Sequence, residues 1–300
     1  SCGALNKHLR NYTDYRKEWN YPIMEIEISD AEFNLFQRLI YDASGIFLTP
    51  VKKELLKSRL IKRVREHSLH SFKEYYNYVT ERDPSGEELI SVLDCISTNL
   101  TEFFREIAHF EFLSDRLIPS LVESKKKKTE KKIRVWSAGC STGEEPYTLA
   151  MVLSESIPSL FDWDVKILAT DISTRVLRKS MLGIYTNDRF KGMPPLLLNT
   201  YFERGNSTSK DNYQVKQVLR NMISFRRLNL MDDIFPFKGK FDFIFCRNVM
   251  IYFDKKTQGE LVSKYYNHLA PQGYLFIGHS ESLAGTDNKF KYVQPTIYQK

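Results

Sequence analysis

From Ile133 onward one grammar repeats: a short apolar run, a turn, then an amphipathic helix. The runs are IRVWSAG (133–139), VKILATDI (165–172), ISFRRLNL (223–230), FDFIFCRNV (241–249) and GYLFIGH (273–279). Apolar stretches of this length fit strands buried on both faces of a parallel sheet. EEPYTLAMVLSES, STRVLRKSML and KTQGELVSKYYNHLA carry helical spacing between them, with Pro271 and Gly273 expected to stop the last. Parallel neighbours need crossover connections, so the alternation predicts an α/β fold with a doubly wound sheet whose ligands lie beyond the carboxyl ends of the strands. Apolar residues make up 42% of the 300-residue chain, which is enough to fill such a core. Residues 187–221 break the alternation. Pro194, Pro195, Gly205 and the polar run NSTSKDN predict a hairpin-bearing insertion there.

Upstream the pattern is helical. Ser29 with Glu32 three residues on reads as a capping box, and Gly45 closes the helix it opens. A second helix is expected from about Pro50 to His67, and a third, SFKEYYNYVTERD, ends before Pro84. These make a small helical domain over 29–88, followed by the turn-rich RDPSGEE and a linker placed at 89–98; a domain over 99–300 comes next. A longer helical stretch is expected from Leu89 to Val122, and the lysine run 125–128 reads as a solvated loop. Residues 1–28 are set aside as an N-terminal extension. They show neither a signal-peptide apolar stretch nor a membrane span, so the expected location is the cytoplasm. Cys2, Cys95, Cys140 and Cys246 form no CxxC pair, which argues against a zinc site or a disulfide framework, and no metal is expected.

The stretch SAGCSTGEEPY, Ser137 to Tyr147, sits where a nucleotide-binding turn belongs, yet fits neither GxGxxG nor GxxxxGK[ST]. Gly139 ends the first strand and Gly143 opens the first helix, so the backbone can approach a ligand closely. Glu144 and Glu145 occupy that helix's first turn and would repel a phosphate, so a cationic or zwitterionic ligand fits better. Asp171 ends the second strand, where an acidic side chain takes ribose hydroxyls in dinucleotide folds; it is also placed to cap the helix beginning at Ser173. An adenosine carrying a positive group, without pyrophosphate, suits this combination. S-adenosylmethionine meets that description.

TNLTEFFRE, VWSAGCSTGEEPYTLAM, ATDIS, FCRNVMIYF and GYLFIGHSESL, in this order after a small helical domain, resemble the CheR family of chemotaxis receptor methyltransferases. The resemblance implies a Rossmann-like class I S-adenosylmethionine-dependent methyltransferase domain with an N-terminal all-helical domain and an inserted antiparallel β-subdomain. It implies methyl transfer to glutamate side chains of methyl-accepting chemotaxis proteins, giving glutamyl methyl esters and S-adenosylhomocysteine. By the same resemblance, Asn99, Thr101 and Arg105 contact the cofactor, with Arg105 near the methyl group. Gly139 lies under the cofactor, Glu145 meets its methionine moiety and Asp171 its ribose or adenosine. Asn229 and Leu230 lie beside the adenine, Arg247 and Asn248 flank the cofactor, and Tyr252 stands close to the transferred methyl. Arg105 and Tyr252 are thus the expected catalytic residues. The 187–221 insertion matches the subdomain that in some members binds a pentapeptide at the receptor's C-terminus. GHSESL reads as a structural loop, since the adjacent His279, Ser280 and Glu281 cannot converge as a triad.

The formal charge of +7 is uneven. Val51–Glu66 carries seven basic and two acidic residues, a balance of +5. On a helical wheel Lys52, Arg59, Lys62 and Arg63 share one sector, while Leu56, Leu60 and Val64 form the stripe facing the core. This ridge is the expected docking face for an acidic receptor segment, with the membrane reached only through the receptor and the enzyme acting as a monomer. Two other readings fit parts of the chain. A nucleic-acid methyltransferase would use the basic patches on phosphates, but the chain has no (N/D)PPY stretch for a flipped base, so no nucleic acid is expected. A non-catalytic cofactor-binding module would not need Arg105, Asp171, Asn248 and Tyr252 together.

Overall fold

The structure, a computed structural model, describes residues 26–205 and 211–300. Most of the N-terminal extension and residues 206–210 of the insertion's polar run lie outside the described residues. Helix α1 (Asp30–Ser44) starts from the expected box: the Ser29 hydroxyl accepts from the Glu32 N–H at 3.2 Å and the Glu32 carboxylate accepts from the Ser29 N–H at 2.8 Å. Gly45 ends it at φ 72°, and a Cβ there would strike the Met231 sulfur across the domain boundary. A 3₁₀ turn at Pro50–Lys52 leads into α2 (Lys53–Glu66), followed by α3 (Phe72–Asn77) and α4 (Glu87–Ile96). Phe36, Ile40, Leu56, Leu60, Val64, Phe72, Tyr75, Val92 and Leu93 form their common core.

Three expectations differ from the structure. Residues 89–98, expected as a linker, supply most of α4, because Val92, Leu93 and Ile96 are spaced to bury in that core. The long helix expected from Leu89 to Val122 is interrupted: residues 97–107 are irregular before α5 (Ala108–Phe112), a π turn at Leu113–Leu117 and α6 (Ile118–Lys127). Phe104 at φ 57° and Glu106 at φ 58° are left-handed, a conformation no right-handed helix accommodates. Lys125, Lys126 and Lys127 form the last turn of α6, where cations suit the helix dipole, so the solvated loop begins later than expected.

The large sheet takes β1 (Lys132–Ala138), β2 (Asp164–Asp171), β6 (Ile223–Arg227), β7 (Phe241–Cys246) and β8 (Leu269–Ile277) in the parallel order β6-β2-β1-β7-β8. Helices α7 (Glu144–Ser156), α8 (Thr174–Leu182) and, later, α11 (Lys255–His268) make the crossovers. A C-terminal hairpin of β9 (Lys291–Gln294) and β10 (Ile297–Gln299) adds antiparallel beyond β8. Alternate strand residues feed opposite cores: Val135, Phe243, Phe245 and Phe276 pack under α7, while Trp136, Ile244, Leu275 and Ile277 pack with Leu261, Val262 and Tyr265 of α11. The insertion is a three-stranded antiparallel sheet of β3 (Ile184–Thr186), β4 (Phe202–Arg204) and β5 (Asn212–Val215), with α9 (Pro195–Tyr201) inside it and α10 (Gln217–Arg220) after it. Its first strand begins three residues before the expected boundary at 187.

Two buried carboxylates fasten these parts. Glu88 accepts from Tyr75 Oη at 2.5 Å and from Arg63 Nε at 2.9 Å, and meets His67 at 3.0 Å. Burial pushes its carboxyl up, but the bonds from Arg63, Tyr75 and His67 outweigh burial and hold it below its usual range. Glu281, in the loop after β8, receives four backbone N–H groups: Val249 at 2.9 Å and Ile251 at 3.2 Å on one oxygen, Asn248 at 3.0 Å and Gly278 at 2.5 Å on the other. Burial raises this carboxyl and the amides oppose the rise. A Cβ on Gly278 would sit 2.7 Å from the Asn248 nitrogen, so only glycine fits beside the clamp.

Glu281→Gln turns an amide NH₂ toward two N–H donors. It should lower unfolding free energy by about 1–3 kcal/mol in a denaturant titration, and an unchanged midpoint would contradict the clamp. Glu88, with a depressed folded pKa, contributes stability that is present above its unfolded value of about 4.3 and lost as pH falls through the folded value. The wild-type melting temperature should therefore fall more steeply below about pH 5 than that of Glu88→Gln, and parallel curves would count against this role.

Candidate functional site

The carboxyl ends of β1, β2, β6 and β7 open into one cleft holding about 1200 Å³ of empty space, its mouth included. It lies where strand order reverses beside β1. The opposite wall comes from the helical domain through Ile46, Leu48, Lys52 and Leu55. Several hydrogen bonds join the helical domain to the sheet domain beside the cleft. Asn229 Nδ2 donates to the Ala43 carbonyl at 2.7 Å, Tyr41 Oη to Asp254 at 2.6 Å, and the Phe47 N–H to the Tyr252 carbonyl at 2.8 Å.

At the end of β1, Gly139 has φ 81°, and a Cβ there would come within 2.4 Å of Val249. Gly143, at φ 99°, opens α7 as expected but packs against Tyr185 and Ser180 and does not line the cleft. The two glutamates after it divide. Glu144 is fully buried and pairs with Arg189 of the insertion, with a further bond from Thr142 Oγ1 at 2.6 Å. Glu145 lines the cleft, accepts from Ser137 Oγ at 2.6 Å and lies 3.5 Å from Arg247. Burial raises its carboxyl, and Arg247 pulls the other way. A buried carboxylate on the cleft lining is suited to a cationic ligand group, which would offset the cost of burying its charge.

Asp171 lines the cleft, and its two oxygens accept from the N–H groups of Ser141 and Ser173, each at 2.9 Å. Burial raises its carboxyl while these amides lower it. Ser173, not Asp171, is the side-chain cap of α8, accepting from Val176. Asp171 thus locks the turns after β1 and β2 together at the cleft floor. Asn229 and Leu230, at the end of β6, are also on the lining.

The irregular segment 97–107 crosses this floor. The Asn99 carbonyl accepts from Ser141 Oγ at 3.1 Å, the Thr101 carbonyl from Arg189 at 2.8 Å, and the Leu100 carbonyl from the Arg105 guanidinium at 2.9 Å. Left-handed Phe104 and Glu106 flank Arg105, a backbone arrangement that persists only where its surroundings impose it. After β7, Arg247 is almost fully buried, lies over the Phe110 and Phe245 rings, and reaches Glu106 at 3.3 Å. Asn248, at φ 58°, donates from its side chain to Glu106 at 3.4 Å. Tyr252 lines the cleft from a 3₁₀ turn, with the Lys52 ammonium 5.9 Å over its ring.

Asn99, Thr101, Arg105, Gly139, Glu145, Asp171, Asn229, Leu230, Arg247, Asn248 and Tyr252 therefore share one cleft. The basic ridge divides. Lys52 joins the cleft, and Lys62 is 83% exposed beside Glu66. Arg59 is turned inward, donating to the Ile96 carbonyl and to Thr98 at the end of α4, and Arg63 is turned inward to Glu88. The helical wheel gave the sector correctly but could not show that α4, once folded, covers half of it. Sequence reasoning missed Glu106 and Glu281, which position Arg247, Asn248 and Tyr252. The available signal was acidic side chains inside apolar strand-end and loop motifs.

A family model described as "CheR methyltransferase, SAM binding domain" matches residues 99–299, and one described as "CheR methyltransferase, all-alpha domain" matches residues 31–97. The second match ends where α4 ends, in agreement with the corrected boundary. A "Chemotaxis protein methyltransferase" of Borreliella burgdorferi is 44% identical over 278 residues, covering 92% of this chain and 96% of that protein. The protein of the same name from Escherichia coli is 38% identical over 274 residues, covering 91% and 92%. "Chemotaxis protein methyltransferase 2" of Pseudomonas aeruginosa is 38% identical, covering 91% and 94%. With a helical domain and a doubly wound domain enclosing one acidic-floored cleft, and both family domains matched in order, the chain belongs to the CheR methyltransferase family.

Proposed function

We propose that this chain transfers the methyl group of S-adenosylmethionine to glutamate side chains of chemoreceptors, giving methyl esters for adaptation in chemotaxis. The observation that carries this reading is the gathering of Glu145, Asp171 and the 97–107 segment around one cleft in a chain of this family. When bound, the cofactor supplies an electrophilic methyl on a positively charged sulfur. Glu145 holds the ligand's amino group, Asp171 its ribose, and Asn229 and Leu230 its adenine, while Gly139 allows the backbone to pass beneath. Asn99 and Thr101 hold the overlying segment in place, and Arg247 and Asn248 close the side.

The incoming glutamate has an ordinary pKa of about 4.3, so it arrives ionised and needs no general base. Its oxygen attacks the methyl carbon while the carbon–sulfur bond breaks toward sulfur. A negative and a positive charge cancel in that step, so water-excluding walls favour it and alignment is what remains to be supplied. Arg105 orients the carboxylate by a charge-assisted bond, and Tyr252 packs beside the reaction line. Lys52, above Tyr252, is the member of the basic ridge placed to greet the substrate, with Lys62 further along α2. Arg59 and Arg63 serve that face by fastening α2 to α4, so reversing their charge tests folding before docking. The free edges β3 and β4 of the small sheet offer a receptor tail pentapeptide a strand to pair with.

Incubation with methyl-labelled cofactor and receptor-bearing membranes should label the receptor, and mild base should release the label as methanol. Base-stable label, or none, would overturn the reading. Arg105→Ala should lower kcat about 100-fold with cofactor affinity changed by less than about tenfold. Equal losses in both would count against an orienting role.

A further inference from the structure

Beside the cleft, Glu106, which also positions Arg247 and Asn248, joins His109 and His279, and the three bring one donor atom each within 4.8 Å of one another. His109 is 1% exposed and its Nδ1 has no hydrogen-bond partner. Its other nitrogen, Nε2, lies 2.7 Å from the Thr296 hydroxyl. That hydroxyl donates to the Pro295 carbonyl at 2.6 Å, and on this pairing the ring proton is assigned to Nε2 as the donor toward Thr296. Nδ1 is left as a bare lone pair, 3.6 Å from a carboxylate oxygen of Glu106, which is also an acceptor. Two acceptors facing each other in a dry site call for a cation between them. The His279 Nε2 is 3.9 Å from the same oxygen, and its ring is half exposed, leaving a route to solvent.

We infer that Glu106, His109 and His279 form a binding site for a divalent transition ion of the Zn²⁺ type, and that its occupancy opposes cofactor binding. Two imidazoles and one carboxylate are a ligand set zinc takes, with water in the open fourth position. Metal–ligand bonds of about 2.1 Å in a tetrahedron separate ligand atoms by about 3.4 Å, so the two separations from Glu106, 3.6 and 3.9 Å, need a closure of about half an ångström or less, and the histidine pair, within 4.8 Å, one of up to about 1.4 Å, which the exposed His279 side chain can supply. The Nε2–H bond to Thr296 is the outer partner that fixes a ligating histidine's tautomer.

The antagonism follows from Arg247, whose guanidinium already reaches the same Glu106 oxygen at 3.3 Å and Glu145 at 3.5 Å. A bound ion takes Glu106 away from Arg247 and repels it. Arg247 then turns to Glu145, which the proposed function reserves for the cofactor's amino group; the coupling, though not the metal site, rests on that reading. By linkage, cofactor must weaken the ion by the same factor.

The test uses purified, tag-free full chain titrated with Co²⁺, followed by its visible absorption, then displaced by Zn²⁺. One equivalent should bind, and His279→Ala, a surface change that should leave circular dichroism intact, should weaken binding more than about tenfold, a loss already typical of disturbing a metal's outer partners. Equal binding in His279→Ala, or none in wild type at millimolar ion, would overturn the site. Calorimetric affinity for S-adenosylhomocysteine should fall in the presence of Zn²⁺ in wild type and not in His279→Ala. An unchanged affinity in wild type would overturn the antagonism. Failure of the metal-free chain to bind S-adenosylhomocysteine would instead strike the proposed function and leave the Co²⁺ result standing.

Discussion

Four backbone N–H groups, from Asn248, Val249, Ile251 and Gly278, converge on the Glu281 carboxylate, and the loop they hold carries much of what surrounds the cleft. That buried anion holds the left-handed Asn248 and the turn that leads to Tyr252. The same loop touches the helical domain through Tyr252 and reaches Glu106 through Asn248. One interaction thus connects the sheet, the helical domain and the irregular segment. Asp171 does the equivalent work at the other side of the floor, tying the turns after β1 and β2 through two amides.

Charge organises the cleft as much as shape does. The carboxylates of Glu145, in the first turn of α7, and Asp171, at the end of β2, share the lining with the cations Lys52, Arg105 and Arg247. A phosphate would meet the glutamate at the start of α7, whereas a sulfonium amino acid is matched by it; Arg247 is already paired with Glu106 and Glu145. The helical domain therefore acts as one wall of the reaction chamber through Lys52 and Leu55, in addition to any part it takes in holding the receptor.

Much of this was legible in the sequence because it depends on local rules. The Ser29 capping box, the strand-end glycine at 139 and helix α7 follow from residue type and spacing, and the residues expected around the cofactor line one cleft, whereas of the expected docking residues only Lys52 does. What escaped depends on tertiary partners. The helical pattern through TNLTEFFRE was real in composition, but the backbone there is left-handed at Phe104, whose N–H donates to Thr148 Oγ1 at 3.3 Å, and at Glu106, whose carboxylate accepts from Asn248 Nδ2 at 3.4 Å, both partners distant in the chain. Arg59 and Arg63 looked like surface ridge until α4 supplied the carbonyls and the carboxylate that take them inward. Glu144 and Glu145 were indistinguishable as neighbours in a first turn; only the insertion's Arg189 separates a structural glutamate from a ligand-facing one.

The account is tested most directly by a crystal structure with S-adenosylhomocysteine. The ligand's amino group should lie within about 3 Å of Glu145, its ribose hydroxyls on Asp171, and its sulfur should face the space between Arg105 and Tyr252. A ligand seated with its sulfur turned away from that space, or lodged in the separate groove lined by Phe104, Met151 and Leu197, would contradict it.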